Sequence, residues 1–498
     1  MPHSPVSASP RIAIVGSGFA GIGMAIRLKR MGITSFAIYE AAADIGGTWR
    51  DNRYPGAACD VPSHLYSFSF EPNPSWSRAF GEQREILAYL KHCAHKYGIE
   101  PFIRCHARVQ AARFDDAAGV WRLDLATGRS GATHEQVEAD VVIAANGPLS
   151  RPALPRIAGL ERFEGKLFHS ARWDHDYPLE GKTVAVIGTG ASAVQFVPHI
   201  QPRVATLHLF QRTAPWIMPR PDREIDARQQ RLFRRLPIAQ RLARWALYWQ
   251  HEARALAFVV NPKWTKGPSR FALSYLGRRV KDPALRAKLT PDYLLGCKRV
   301  LLSSDYYPAL TQPNVDVVTT PIREIVADGV VTSDGTHHRV DAIICGTGFQ
   351  VNDAGAPFTV IGAHGADLDA RWRSVGPEAY LGTSVAGFPN FFMMIGPNTG
   401  LGHNSMIYMI ESHIAYIADC LRLLRRRGAR TMEVKADTQH AYNERLQRAM
   451  RGTVWASGCR SWYLAETGKN TALWPGFTFT FRRLTRRAQA ADYRFANR

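Results

Sequence analysis

Two stretches of the chain repeat one pattern, in which a short apolar run is followed by a glycine-rich turn, a helical segment and a second apolar run. In the first, IAIV leads into GSGFAG; in the second, TVAVI leads into GTGASA. This order is typical of the βαβ unit that holds a dinucleotide, because glycine lets the backbone approach a pyrophosphate and the helix N-terminus attracts its charge. The sequence therefore predicts two nucleotide-binding units.

The turn residues expected to face the two pyrophosphates are Gly16, Gly18 and Gly21 in the first unit and Gly188, Gly190 and Ala193 in the second. Alanine is an accepted variant at the third position of this motif.

The residue at the end of the second strand distinguishes the two units. Glu40 lies 24 positions after Gly16, and Arg212 lies 24 positions after Gly188. A carboxylate at this place accepts hydrogen bonds from a free ribose 2′-hydroxyl, whereas a guanidinium pairs with a 2′-phosphate. We therefore expect FAD on the first unit and NADPH on the second.

The rest of the chain fits around these units. We predict an α/β fold with two Rossmann-like dinucleotide-binding domains: an FAD domain over 1–150, an NADPH domain over 151–384 with a helical insertion at about 222–296, and a return segment over 385–498 that completes the FAD domain. A helix is expected from about Asn404 to Leu424. The insertion carries an apolar stripe at helical spacing with flanking arginines. Such a stripe fits either a membrane-surface face or a buried helix, and we expect it to be buried: Leu242, Trp245, Trp249, Ala253 and Leu256.

Composition limits which partners, which cellular location and which cysteine chemistry we expect. The net charge of +21 is spread along the chain, which favours phosphorylated cofactors over nucleic acid as its partner. Neither an apolar run long enough to span a bilayer nor a secretory leader stands out, so a cytoplasmic protein without stable membrane insertion is expected. The seven cysteines lie far apart, with no CxxC pair, which argues against a disulfide framework, a metal centre or a dithiol redox centre.

Three motifs resemble those of the class B flavoprotein monooxygenases, and among them the type I Baeyer–Villiger enzymes. They are FEGKLFHSARWD, GGTWRDNRYPGAACD and GCKRVLLSSDYYPAL. The first is the most specific, since its members match the family fingerprint position by position: Phe163, Gly165, His169, Trp173 and Asp174. His169 and Trp173 are interpreted as structural residues that couple motion of the linker to cofactor binding.

The resemblance implies an FAD-containing enzyme that uses NADPH and O2 to convert a ketone substrate into an ester or lactone. The reaction would pass through a C4a-peroxyflavin and a Criegee-type adduct, with sulfoxidation as a side activity. The resemblance assigns catalysis to Arg299 and gives Asp60 the role of holding this arginine in place. An arginine that stays charged at every working pH suits the stabilisation of a peroxide anion and of the charge that develops on the carbonyl adduct.

The resemblance also implies cofactor contacts. For FAD these are Glu40, Gly47, Thr48, Trp49, Asp60 and Tyr66. For NADPH they are Thr189, Gly190, Ser192, Gln195, Arg212, Thr213, Lys298 and Trp462. Trp462 has two interpretations, contact with NADP or simple packing. The sequence predicts neither the ketone nor the oligomeric state.

Other functions fit parts of the pattern. A class B monooxygenase that oxygenates nitrogen or sulfur shares both nucleotide units, but the ending Trp173-Asp174 and the presence of Arg299 favour the Baeyer–Villiger type. A disulfide reductase would need a redox-active cysteine pair beside the flavin. A non-catalytic flavin-binding protein leaves the NADPH site and Arg299 unexplained.

Overall fold

A computed structural model describes residues 9–351, 358–459, 461–465 and 467–497 of the 498-residue chain. Its strands are β1 Ile12–Val15, β2 Phe36–Tyr39, β3 Ile103–Arg104, β4 Ala107–Asp115, β5 Val120–Thr127, β6 Thr133–Ala139, β7 Val141–Ala144, β8 Lys166–His169, β9 Thr183–Ile187, β10 Thr206–Phe210, β11 Ile217–Met218, β12 Leu301–Leu302, β13 Val315–Val318, β14 Ile322–Val326, β15 Gly329–Thr332, β16 His337–Arg339, β17 Ala342–Cys345, β18 Thr359–Ile361, β19 Phe391–Met393, β20 Thr431–Val434 and β21 Tyr493–Ala496.

Its α-helices are α1 Phe19–Arg30, α2 Thr48–Asp51, α3 Gln83–Lys96, α4 Ala191–Ile200, α5 Ala227–Arg235, α6 Pro237–Ala253, α7 Lys266–Arg279, α8 Pro283–Lys288, α9 Tyr306–Leu310, α10 Leu368–Val375, α11 Met406–Arg427, α12 Ala436–Met450 and α13 Thr478–Leu484. Helix α11 begins two residues after the predicted Asn404, because the Ser405 hydroxyl caps it by accepting a hydrogen bond from the backbone N–H of Ile407.

The first nucleotide unit is built on a parallel sheet with the strand order β19-β7-β1-β2-β3. All four residues of β1 are buried, as expected for a central strand covered on both faces. Helix α1 packs against β1 and against α11. The chain enters α1 directly from β1, so the intervening glycine turn lies at the carboxyl edge of the sheet, where nucleotides bind in this architecture.

The second nucleotide unit repeats the plan on a parallel sheet with the order β13-β10-β9-β17-β8. Helix α4 follows β9 through the second glycine turn, and β10 ends immediately before Gln211 and Arg212. The predicted α/β fold with two such units is confirmed.

The return to the first unit occurs in two steps. Strand β19 pairs with β7 at the edge of the first sheet, after the predicted boundary at 384. Strand β18 already pairs with β4, and helix α10 buries Leu368 and Trp372 in the same core as β4 and β5. Residues from 358 onward therefore contact the first unit, while the division at 384 stays a prediction.

The segment 222–296 contains four helices, α5 to α8. Its aromatic stripe is not buried, contrary to the expectation: Leu242 is 59%, Trp245 63% and Trp249 43% exposed. The reason is that α6 packs through its opposite side, where Gln240 and His251 are almost wholly buried. Among the described residues, none of the helices has both the length and the apolarity to cross a bilayer.

The expectation that the cysteines form no disulfide is wrong for one pair. Cys297 and Cys459 are joined, across 162 positions of sequence. Spacing in the sequence gave no signal of this pair, since the two residues are brought together only by the packing of the C-terminal segment on the loop before β12. The other five cysteines are free.

Candidate active site

The first glycine turn is shaped for close approach of a ligand. Gly16 has φ +102°, and a Cβ there would lie 2.9 Å from the carbonyl oxygen of Ala145. A Cβ on Gly21 would lie 1.9 Å from the carbonyl oxygen of Gly16, so only glycine lets α1 pack this tightly on the turn. Gly18 forms the N-cap of α1 and faces Gly47, which leaves backbone rather than side chains along this surface.

Glu40 is buried and fully engaged. One carboxylate oxygen accepts hydrogen bonds from the backbone N–H of Ser17 (3.0 Å) and from its hydroxyl (2.6 Å). The other accepts from the N–H of Ala42 (2.9 Å) and pairs with Arg50 (2.8 Å). The carboxylate is thereby fixed at the end of β2, where the adenosine ribose would lie.

The remaining predicted FAD residues gather beside this turn. Thr48 begins the short helix α2, and the indole N–H of Trp49 donates to the Tyr66 hydroxyl at 3.1 Å. Burial raises the pKa of Tyr66, so its hydroxyl stays protonated. Together with Gly47, these side chains form an apolar wall that runs from the glycine turn towards Asp60.

The second glycine turn uses the same device. Gly188 has φ +105°, and a Cβ there would lie 2.5 Å from the carbonyl oxygen of Gly346. Gly190 is the N-cap of α4, and Ala193 is completely buried under it. The Thr189 hydroxyl donates to the carbonyl of Thr213 at 3.0 Å, which ties the turn to the strand end that carries Arg212.

Arg212 and Lys298 come together although 86 positions separate them in sequence. Burial, followed by the charge of Arg212, lowers the pKa of Lys298. Arg212 is exposed, and within the described parts of the chain neither cation has a carboxylate at ion-pair distance. Two cations without a counter-ion form a site suited to a phosphate.

The predicted contact of Gln195 with NADPH stays a prediction, and the structure gives this side chain a further role. Its amide bridges the two units, donating to the carbonyl of Ala58 (2.9 Å) and accepting from the Tyr54 hydroxyl (2.9 Å). Ser192 also bonds to Tyr54. Both residues begin α4, as predicted, but their side chains join the second unit to the 54–58 loop of the first.

Arg299 and Asp60 form the predicted pair. The guanidinium donates from Nε and Nη2 to the two carboxylate oxygens at 2.7 Å each, and from Nη1 to the carbonyl of Leu401 at 3.3 Å. The charge of Asp60 raises the pKa of Arg299 further above its ordinary value. About a third of the Arg299 side chain (33%) stays accessible, so the fork is held from one side and open on the other.

The fingerprint residues lie at the edge of the second unit and not in a separate linker, because His169 ends β8, the edge strand of the second sheet. His169 is buried, and its Nδ1 accepts the backbone N–H of Ala171 at 3.1 Å. Burial lowers the pKa of His169, which keeps it neutral. Trp173 packs between Phe168 and Phe196. These contacts support a structural role for the motif.

Trp462 is half exposed (50%), which rules out the interpretation that it is a buried packing residue. It lines a cavity of about 250 Å³ together with Ala153, Leu154, Arg156, Phe349, Gln350 and Val351. The indole contacts the ring of Tyr463, which is buried beside Arg299. Trp462 therefore lies between the segments 153–156 and 349–351 and the Arg299–Asp60 pair.

Comparisons with known proteins agree with this arrangement. The family model for flavin-binding monooxygenase-like proteins matches residues 9–248. A Baeyer–Villiger monooxygenase of Pseudomonas aeruginosa is 51% identical over 99% of this chain and 93% of its own length. One from Streptomyces coelicolor is 50% identical over the same shares. The chain belongs to the Baeyer–Villiger monooxygenase family. The solved structure of OTEMO in complex with FAD and NADP matches 98% of this chain and 100% of that chain, with a TM-score of 0.86 and 26% identity.

As a Baeyer–Villiger monooxygenase, the chain uses FAD and NADPH, and its residues fit both. Both turns depend on glycines, because a Cβ on Gly16, Gly21 or Gly188 would lie within 3 Å of a backbone carbonyl oxygen. The carboxylate of Glu40 follows β2 in the first unit. Arg212 and Lys298, which have no carboxylate at ion-pair distance among the described residues, mark the second. The contacts predicted for individual residues stay predictions.

A buried cluster beside the Arg299–Asp60 pair was not predicted. Glu252 of α6 accepts from the Asn404 amide (2.5 Å) and from the Thr478 hydroxyl (2.8 Å). The Nδ1 of His251 donates to the carbonyl of His403 (3.2 Å). Burial lowers the pKa of His403 to about 3 and that of His251 to about 4. Asn404 and Thr478 lie 152 and 226 positions after Glu252, so no local pattern indicates the cluster.

Proposed function

We propose that the chain inserts one oxygen atom from O2 beside the carbonyl of a ketone, giving an ester or lactone with oxidation of NADPH, and that Arg299 is its catalytic residue. The observation that supports this most is the two-bond fork between Arg299 and Asp60 with one open side. Bound FAD supplies the activation of O2 after reduction by NADPH.

The roles of the two residues follow from their charges. Arg299 stabilises the negative charge that develops on the substrate carbonyl oxygen when the carbonyl carbon is attacked. Asp60 fixes the orientation of the guanidinium, and the Leu401 carbonyl limits its rotation. Tyr463, which is buried, and Tyr66, which is partly buried, limit the access of water to this side of the pair and so strengthen its field.

The test is replacement of Arg299. In Arg299→Ala, NADPH should still bleach the flavin absorbance, but ester formation should fall by at least about a hundredfold, the usual loss when one charge-stabilising donor is removed. Arg299→Lys keeps the charge without the two-bond fork and should recover part of the rate.

The matched control is Arg78→Ala. Arg78 also has a 33% accessible side chain and pairs with an aspartate, Asp222, at 2.9 Å. It should retain nearly full ester formation. Ester formation by Arg299→Ala at the wild-type rate would refute the assignment, and a loss of flavin reduction in the same variant would move Arg299 to a binding role.

A further inference from the structure

The exposed stripe of α6 is the largest departure from the sequence expectation. Its members lie at intervals of four, three and four positions, so they share one helix face. They are Ile238, Leu242, Trp245 and Trp249, and 43–63% of each is exposed. Leu232 of α5, Leu236 between α5 and α6, and Phe479 beside Trp249 extend the same apolar character. We call these seven residues the α5–α6 face.

The opposite side of α6 explains why the helix keeps this orientation. Gln240 donates to the carbonyl of Asn73 at 2.7 Å, and Arg244 donates to the carbonyl of His64 at 2.6 Å. Tyr248 bonds to Thr478 and stacks on Tyr408. Because these side chains make their hydrogen bonds with the interior of the protein, α6 cannot rotate its apolar face into the core without breaking them. The face is fixed outward.

The charge around this face has one sign. Residues 227–250 contain six arginines and no acidic residue. Five of them are exposed: Arg228, Arg231, Arg234, Arg235 and Arg241. The charge continues through the insertion, where residues 227–281 hold thirteen Lys and Arg and a single acid, the buried Glu252. More than half of the net charge of +21 lies in this segment.

We propose that the α5–α6 face docks on an anionic lipid surface. An amphipathic helix with tryptophan on one side and arginine alongside lies in the plane of a bilayer interface, its apolar face among the upper acyl chains and its cations at the phosphates. A second copy of this chain is a poorer occupant, because self-pairing would bring two sets of exposed arginines together. Docking holds the enzyme at the surface where apolar ketones dissolve.

The experiment is sedimentation of the FAD-loaded, full-length enzyme with lipid vesicles. The wild type should bind vesicles of phosphatidylcholine containing about one third phosphatidylglycerol, bind pure phosphatidylcholine far more weakly, and be released as ionic strength rises. Trp245→Gln with Trp249→Gln should weaken binding at least about tenfold, since the interfacial aromatic anchors are lost. Arg234→Ala with Arg235→Ala should weaken it by roughly thirtyfold.

Two matched controls distinguish binding through the α5–α6 face from non-specific binding to vesicles. Arg425→Ala with Arg426→Ala removes the same charge from the exposed end of α11, and Val375→Ser removes an exposed apolar side chain (42%) from α10. Both should bind vesicles as the wild type does. All variants should oxidise a water-soluble ketone unchanged. If the tryptophan pair fails to fold, Ile238→Ser with Leu242→Ser tests the same face.

Three results would overturn the proposal: wild-type protein that binds neither vesicle, equal binding to neutral and anionic vesicles, or equal weakening by the α11 control. A dimer in sedimentation velocity that dissociates on replacement of Trp245 and Trp249 would also overturn it, assigning the face to a second copy. Membrane docking is independent of the roles of Arg299 and Asp60, so loss of ester formation alone does not affect it.

Discussion

Glu40 and Arg212 occupy the same place in the two nucleotide units, 24 positions after the first glycine, but their surroundings differ. Glu40 is buried and bonded to Ser17, Ala42 and Arg50. Arg212 is exposed, and its neighbour Lys298 is another cation. We infer that the first unit is built to retain its nucleotide, whereas the second unit is built to admit and release one.

The largest effect should come from Glu40→Ala. Removing the carboxylate leaves the buried Ser17 N–H and hydroxyl and the Ala42 N–H without their acceptor, while Arg50 keeps Asp51 as a partner. The free energy of unfolding should fall by about 3 kcal/mol, and the ratio of flavin to protein should fall with it. Urea unfolding measures the free energy, and flavin absorbance measures the ratio of flavin to protein. Glu138→Ala, which breaks the exposed pair with Arg11 at 2.9 Å, should cost under about 1 kcal/mol. Equal losses would contradict the closed character of the first unit.

The second largest effect should be a loss of stability in acid, caused by the buried histidines beside Glu252. Their folded-state pKa values, about 3 for His403 and about 4 for His251, lie below the unfolded value of about 6.5. The unfolded chain therefore binds more protons, so stability is complete above about pH 6.5 and falls as the pH drops, with a slope that approaches about 1.4 kcal/mol per pH unit for each group.

Urea unfolding over a pH series tests this. His403→Gln should flatten the acid loss, while His440→Gln, at an exposed position on α12 (74% accessible side chain), should leave the curve unchanged. If wild type and His403→Gln lose stability with acid at the same slope, then His403 does not take up a proton on unfolding and this prediction is wrong.

Arg212→Ala should act only on the open unit. We expect kcat/KM for NADPH to fall by about tenfold to a hundredfold, the size of a lost charged hydrogen bond, with NADH little affected and flavin content unchanged. Arg203→Ala is the control, since Arg203 lies in the same unit and pairs with Glu180 at 2.8 Å instead. A parallel loss with NADPH and NADH would mean that Arg212 does not read the 2′-phosphate.

The smallest effect should follow loss of the disulfide. Cys459→Ser frees the segment before Trp462 from the loop of Lys298 and Arg299, so the Michaelis constant for NADPH should rise by no more than about fivefold. Flavin content should not change; if it falls, the disulfide stabilises the closed unit and the comparison between the units weakens. Cys105→Ser, at a free and half-buried cysteine, is the matched control.

The sequence predicted what depends on local pattern. The glycine turns, Glu40 and Arg212 were readable because a βαβ unit fixes turn, helix and strand end within about 25 positions. The pairing of Arg299 with Asp60 came only from resemblance, since 239 positions separate the two residues. The joining of Cys297 with Cys459, the cluster around Glu252 and the outward face of α6 had no local signal. Each depends on which side of an element the tertiary packing covers.

The central claim is that the chain places one oxygen atom from O2 beside a ketone carbonyl. The most direct test incubates the wild-type enzyme with NADPH, a ketone and ¹⁸O-labelled O2, and identifies the product by mass spectrometry. An ester or lactone that carries one labelled atom in its ring or ester linkage, absent with Arg299→Ala, is the predicted result. NADPH consumption that yields only hydrogen peroxide across linear, cyclic, aromatic and steroid ketones would contradict it.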